Sequence, residues 1–260
     1  LARVLLNPWL FVPELRRKTM AKPHQEWTVL PHGKLKRVED DVLTVTGTMY
    51  MPPMGEVERR MTVVRLRDGR LVIYSAISLD EAEMRALEAY GTPAFLIVPG
   101  DIHRMDAKPW KDRYPSMKVI APAGARPKVE EVVAVDATTV DFGDPAVRFV
   151  AVPGTGDKEG ALVVETVNGT TIVLNDLIFD LANRPGLSGW LFKAIGMTGD
   201  VPHIPLPVML KEVKDKQAVG AQLDVWADLP DLQRVIISHG DIITNSPSAV
   251  LKRISKELRA

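Results

Sequence analysis

The chain has 260 residues, with 33 basic and 33 acidic side chains, five histidines and no cysteine. Zero net charge argues against a general nucleic-acid-binding protein, which carries a basic excess. A composition of 46% hydrophobic and 25% charged residues is that of a globular chain, long enough for one large domain or two small ones. Without cysteine there is no disulfide, thiolate nucleophile, iron–sulfur cluster or cysteine-bearing zinc site. Any metal site must therefore come from Asp, Glu and the histidines His24, His32, His103, His203 and His239.

The chain begins at Leu1 rather than Met, as a processed or excised chain would. Residues 1–38 form a basic and apolar N-terminal arm, with eight Lys/Arg against Glu14 and Glu26. Its apolar run from Val4 to Val12 is broken by Asn7 and Pro8 and is too short to span a bilayer. It also lacks the features of a secretory signal. The arm either straps onto the domain or rests on a membrane surface or an acidic partner. His24 and His32 within it read as surface residues. A soluble, cytoplasmic protein is the expectation.

Val42–Met49 alternates as a strand. Met61–Leu66 and Leu71–Ser75 flank an Asp68-Gly69 hairpin turn. Ser78 reads as the cap of a helix reaching Tyr90, with Glu81 completing a capping box. Ala94–Val98 is a continuous apolar run, the mark of a strand covered on both faces. Strands follow at Val119–Ala121, Val132–Val135 and Val147–Val152. A further hairpin joins Gly160–Val167 to Thr170–Leu174 through Asn168-Gly169. Residues 178–216 are an excursion rich in Gly and Pro, containing short helices. A helix at 215–226, a buried strand at 234–238 and a helix at 247–258 close the chain. Mixed β runs with interposed helices predict two packed sheets covered by helices, a four-layer αββα sandwich. A doubly wound parallel fold comes second, because hairpins interrupt the βα alternation. Neither GxGxxG after the first strand nor GxxxxGK[ST] anywhere is present, so nucleotide binding has no motif behind it.

Three apolar strands run directly into polar residues. Phe95–Val98 leads to Asp101, His103 and Asp106; Thr171–Leu174 leads to Asn175 and Asp176; Val235–Ile237 leads to Ser238, His239 and Asp241. Ligand sites in layered α/β folds lie beyond strand ends, where the backbone leaves the ladder. Two His and several carboxylates converging there suit a divalent ion. Taken singly, each is more often a turn-capping Asp or a packed His; finding all three in order is what favours a site.

These segments resemble the metallo-β-lactamase superfamily, and more closely its uncharacterised branch from bacteria and plants. The resemblance covers roughly Glu39 to Leu258, and residues 39–260 are read as one metallo-β-lactamase-like domain. It rests on IVPGDIHRMDAKPWKDRYPSMKVIAPAG, TTIVLNDLIFDL and DLQRVIISHGDII. In that branch a His after a strand is followed by a Trp and an aromatic-Pro, here His103, Trp110, Tyr114 and Pro115; Asp176 and His239-Gly240 match the later motifs. Active members carry His-x-His-x-Asp-His, where this chain has Asp101, His103, Met105 and Asp106. A further ligand His in a Pro-Gly-His motif falls on Thr155, with Asp157 and Glu159 nearby.

The resemblance implies a degraded metal site that lacks two-metal hydrolysis, because Met is a poor ligand for hard cations and no base. Two outcomes are open. One divalent ion (Mn, Fe or Zn) held by His103, Asp106, Asp176 and His239, with Asp101 as a further oxygen ligand, would support hydrolysis of an ester, lactone or phosphoester. With no metal, the same residues would form a hydrogen-bonded network in a binding module for a small molecule or protein. His203, Trp110 and Trp190 are candidate substrate contacts. The Met-rich residues 49–54 are a candidate substrate-side loop.

Overall fold

A computed structural model describes residues 22–51, 55–183 and 185–260. Most of the N-terminal arm and residues 52–54 of the Met-rich loop lie outside the described residues. The first sheet contains β1 (Lys36–Glu39), β2 (Val42–Met51), β3 (Gly55–Arg65), β4 (Arg70–Tyr74), β5 (Thr92–Ile97) and β6 (Lys118–Ile120), in that spatial order. Strands β1 to β4 pair antiparallel, and β4, β5 and β6 run parallel. Helices α1 (Glu81–Tyr90), α2 (Ala107–Arg113) and α3 (Arg126–Val129) occur within this half. The second sheet has the order β11-β9-β8-β7, formed by β7 (Val147–Ala151), β8 (Gly160–Thr166), β9 (Gly169–Val173) and β11 (Leu232–Ile236). Two short strands, β10 (Phe179–Asp180) and β12 (His239–Gly240), pair parallel beside it. Helices α4 (Gly186–Ala194) and α5 (Leu206–Lys211) occupy the excursion, while α6 (Lys216–Ala227) and α7 (Pro247–Arg259) follow it.

Three apolar layers hold this arrangement. Val64, Val72, Phe95 and Ile97 of the first sheet meet Leu162, Val164 and Val173 of the second. The outer face of the first sheet packs Met61, Val63 and Leu96 against Met84, Leu87 and Trp110 of its helices. The outer face of the second packs Val163, Ile172 and Val235 against Val219, Leu223 and Leu251. The fold is thus the expected αββα sandwich. The alternation of faces explains why two adjacent arginines of β3, Arg59 and Arg60, serve opposite layers. Polar ties join the halves: Glu39 pairs with Arg234, and Tyr74 donates its hydroxyl to the Gly160 carbonyl at 2.6 Å.

Two local expectations are corrected. The helix expected to start at Ser78 is capped by Asp80, whose carboxylate accepts from Ala82 and Glu83 N–H at 2.9 Å each. Ser78 is buried and turns inward, donating its hydroxyl to Asp106 at 2.8 Å. Residues 132–135 do not form a strand. Val133 and Val135 are buried in the helical layer, which gives the sequence a strand-like alternation, but sheet contact begins only past them, where Asp136 N–H donates to the Val119 carbonyl and Ala137 bridges Ile120. The expected boundary at residue 38/39 falls inside β1.

Trp110, a candidate substrate contact, is fully buried. Its ring lies 5.4 Å from Trp27 and 5.7 Å from Tyr114, and its indole N–H donates to the Ile77 carbonyl at 3.2 Å. Replacing it by alanine should cost about 3–5 kcal/mol of stability, read as a lowered urea midpoint at unchanged m-value.

Candidate metal centre

Three side chains from three strand ends meet at one point. His103 follows β5, Asp176 follows β9, and His239 opens β12. The His103 Nε2 atom lies 3.1 Å from His239 Nε2 and 3.2 Å from Asp176 Oδ1. The third side of the triangle, His239 Nε2 to Asp176 Oδ1, is 3.1 Å. Among the described residues these three form the one cluster with metal-ligand spacing.

Each member is oriented from behind. His239 Nδ1 donates to the Glu58 carbonyl at 2.6 Å; a carbonyl only accepts, so this ring carries a proton on Nδ1 and turns its Nε2 towards the centre. His103 Nδ1 is 2.7 Å from the Ser75 hydroxyl. Arg60 of β3 donates to the carbonyls of Ile237 and Gly240 at 3.0 and 2.6 Å, clamping the residues on either side of His239. Gly240 has a φ of +112°, and a Cβ there would sit 2.1 Å from the Asp180 carbonyl oxygen; glycine is what lets β12 pass β10 this closely. Burial opposes the ionised form of Asp176, yet the charge and hydrogen bonds of His103 and His239 overcome it, holding the carboxyl well below its usual range.

The donor set can be tested against a metal. Tetrahedral bonds of about 2.0–2.1 Å put neighbouring ligand atoms roughly 3.3–3.4 Å apart, close to the observed 3.1–3.2 Å. Two imidazoles and one carboxylate, each imidazole held through its other nitrogen, are the ligand types and supporting contacts of first-row divalent sites. The residues fit such an ion.

The other sequence candidates lie elsewhere. Asp106 is outside the triangle: its carboxylate is buried in an ion pair with Arg59, with further bonds to Ser78 and to His24 Nδ1 at 3.3 Å. Asp101 lines the same cavity as the triangle but pairs with Lys158 at 3.0 Å. Thr155 donates its hydroxyl to the Val152 carbonyl, and Asp157 is exposed. Glu159 is buried beside the triangle, accepting the backbone N–H groups of Asn175 and Asp176 at 2.9 and 3.0 Å. Its burial and the charge of Asp176 push its carboxyl well above the usual range. His203 places both ring nitrogens against the carbonyls of Val201 and Gly196. Trp190 is exposed on α4. Neither lines the cavity.

His24 and His32 were expected at the surface; instead their side chains are 10% and 5% exposed. His24 is drawn in by Asp106, and His32 Nε2 accepts the Asp80 N–H at 3.0 Å. The residues that sequence reasoning missed are Glu58, Arg59, Arg60 and Ser75. The available signal was an Arg-Arg pair inside a β-branched run, which only a strand longer than Met61–Leu66 would have captured. The triangle opens on a cavity of about 280 Å³, with Val57, Ile102, Phe179 and Met197 among its walls.

The architecture matches solved metallo-β-lactamases. A metallo-β-lactamase from Hirschia baltica aligns at 13% identity and a TM-score of 0.57, covering 86% of this chain and 98% of that one. The metallo-β-lactamase FIM-1 from Pseudomonas aeruginosa, solved in a mono-zinc form, aligns at 10% identity and 0.58, covering 88% and 96%. VMB-1 aligns at 13% identity and 0.62, covering 90% and 100%. No family model matches the chain, and no curated protein matches it significantly. The chain therefore has the metallo-β-lactamase fold. No helix among the described residues is long and apolar enough to cross a membrane.

The Arg59–Asp106 pair generates a prediction. Burial raises the Asp106 pKa, but the Arg59 charge and the bonds from His24, Arg59 and Ser78 bring it down to about 2. The unfolded chain therefore binds this proton more readily, so the pair stabilises fully above about pH 4 and ceases to as pH falls through about 2. Asp106→Asn strands the buried guanidinium and should cost about 3–5 kcal/mol at pH 7. The gap between wild type and variant should narrow below pH 4 in denaturant titrations.

Proposed function

We propose that this chain is a single-metal hydrolase of an ester, lactone or phosphoester, built on a metallo-β-lactamase fold without the two-metal centre. The observation behind this reading is the triangle of His103 Nε2, Asp176 Oδ1 and His239 Nε2. Three converging lone-pair atoms, backed by fixed hydrogen bonds, suit one divalent cation: zinc, iron or manganese. The degraded pattern is consistent with one ion rather than two. Met105 packs into an apolar cluster with Leu30 and Met49, Asp106 is committed to Arg59, and Thr155 to the Val152 carbonyl.

When bound, a divalent ion supplies Lewis acidity, acidifying water and polarising a carbonyl or phosphoryl oxygen. The chain's own residues do the rest. Ser75 and the Glu58 carbonyl set the ring orientations of His103 and His239. Glu159 anchors the backbone at Asp176. Val57, Ile102 and Phe179 exclude bulk water from the place where substrate would sit, which strengthens every charge interaction there.

Protein loaded with zinc, manganese or iron should hydrolyse an activated carboxylic ester, lactone or phosphoester. His239→Ala should lower kcat/KM by at least about 100-fold, since loss of a ligand's supporting contact alone costs about 10–100-fold. Ser75→Ala, which removes that contact from His103, should fall within the smaller range. Failure of all three metals to raise turnover above that of His239→Ala would contradict the reading.

A further inference from the structure

The cavity beyond the triangle is lined mainly by apolar side chains. Around the triangle its walls are Val57, Ile102, Phe179, Ile195, Met197 and Val208. The charged groups that also border it are largely paired with one another: Asp101 with Lys158 at 3.0 Å, and Lys211 with Glu212 at 3.2 Å. A polar substrate such as a sugar phosphate would find few free donors or acceptors beyond the triangle itself.

The apolar character extends outward through α4 and α5. Ile195, which caps α4, is both a wall of the cavity and exposed to solvent. On the same two helices Trp190 is 66% exposed and Leu210 72%, with Leu191 and Leu206 also at the surface. No described side chain of α5 is buried, although Pro207 and Val208 face the cavity. An apolar interior joined to an apolar rim through one residue is a path for a hydrocarbon chain, and exposed apolar patches of this kind mark binding sites.

The volume sets a length. An apolar protein cavity of about 150 Å³ holds one benzene, six carbons, so 280 Å³ holds roughly eleven heavy atoms on the same scale. Two or three of these belong to the reacting group. We infer that the site takes a substrate with a linear acyl or alkyl chain of roughly eight or nine carbons, seated against Ile195 and Val208 with its ester or lactone group at the triangle. This inference rests on the hydrolytic reading for the reacting group only; the chain subsite stands on the cavity.

Neutral n-alkanols from pentanol to decanol, titrated calorimetrically into the protein as purified, test the subsite. An alkanol has no bond to hydrolyse and no charge to ligate a metal, so an inactive or metal-free protein still answers. Kd should tighten about fourfold with each added methylene, the effect of burying one CH₂. Ile195→Asp and Val208→Asp should each weaken decanol by at least about tenfold; neither position is in the buried core, so both variants should fold. His239→Ala should leave the chain-length slope unchanged. A flat slope, or decanol binding unaffected by both Asp variants, overturns the inference. A second arm separates two sources of the chain. Co-sedimentation with phosphatidylcholine–phosphatidylglycerol vesicles, lost in Trp190→Ser, assigns a lipid surface; the alkanol slope without co-sedimentation assigns a free amphiphile.

Discussion

Two imidazole nitrogens and a carboxylate oxygen held 3.1–3.2 Å apart repel one another unless positive charge lies among them. The Nδ1–H of His239 is already committed to the Glu58 carbonyl. The rest of the site can be understood as scaffolding for this close approach. The residues come from 136 positions apart in the chain, and no local element could bring them together. The ends of β5 and β9 arrive from different sheets, and β12 is pinned between β10 and the Arg60 guanidinium. The packed inter-sheet layer and the Tyr74–Gly160 bond fix the distance between the two halves.

The neighbouring arginine defines where that charge does not extend. Arg59 and Asp106 neutralise each other beneath the cleft, with Ser78 and His24 closing around the carboxylate. Buried ion pairs add little stability over an apolar filling but are costly to break. A buried guanidinium there keeps Asp106 away from the triangle and leaves His103, Asp176 and His239 as the compact set. In this fold, a carboxylate on the ligand-bearing segment has become part of the support.

The αββα layering was legible because periodicity reports burial. Ala94–Val98 reads as a doubly covered strand, and its residues lie between the two sheets or under the helices. His103, Asp176 and His239 were visible because each follows an apolar strand directly. Asp106 looked the same on that criterion, yet it makes different contacts. Sequence spacing reports which residues leave a strand together but not which way the following turn points them. The partners that decide the matter, Arg59 and Ser78, lie 47 and 28 residues away. Ser78 and Asp80 illustrate the same limit: both are good caps, and the choice fell to burial. The strand expected at Val132–Val135 failed because alternate burial arises wherever an irregular segment lies on a core, with or without a strand partner; here Val132 and Val133 N–H close a turn onto the Val129 carbonyl.

If the triangle is a site for one cation, the metal content of the protein will show it. Elemental analysis of protein purified without chelator, before and after incubation with zinc, manganese or iron, should give about one ion per chain, and close to none in His239→Ala. About two ions per chain, or less than about 0.2 with no uptake from any of the three metals, would contradict the account. The latter result would mean that protons alone reconcile His103, Asp176 and His239.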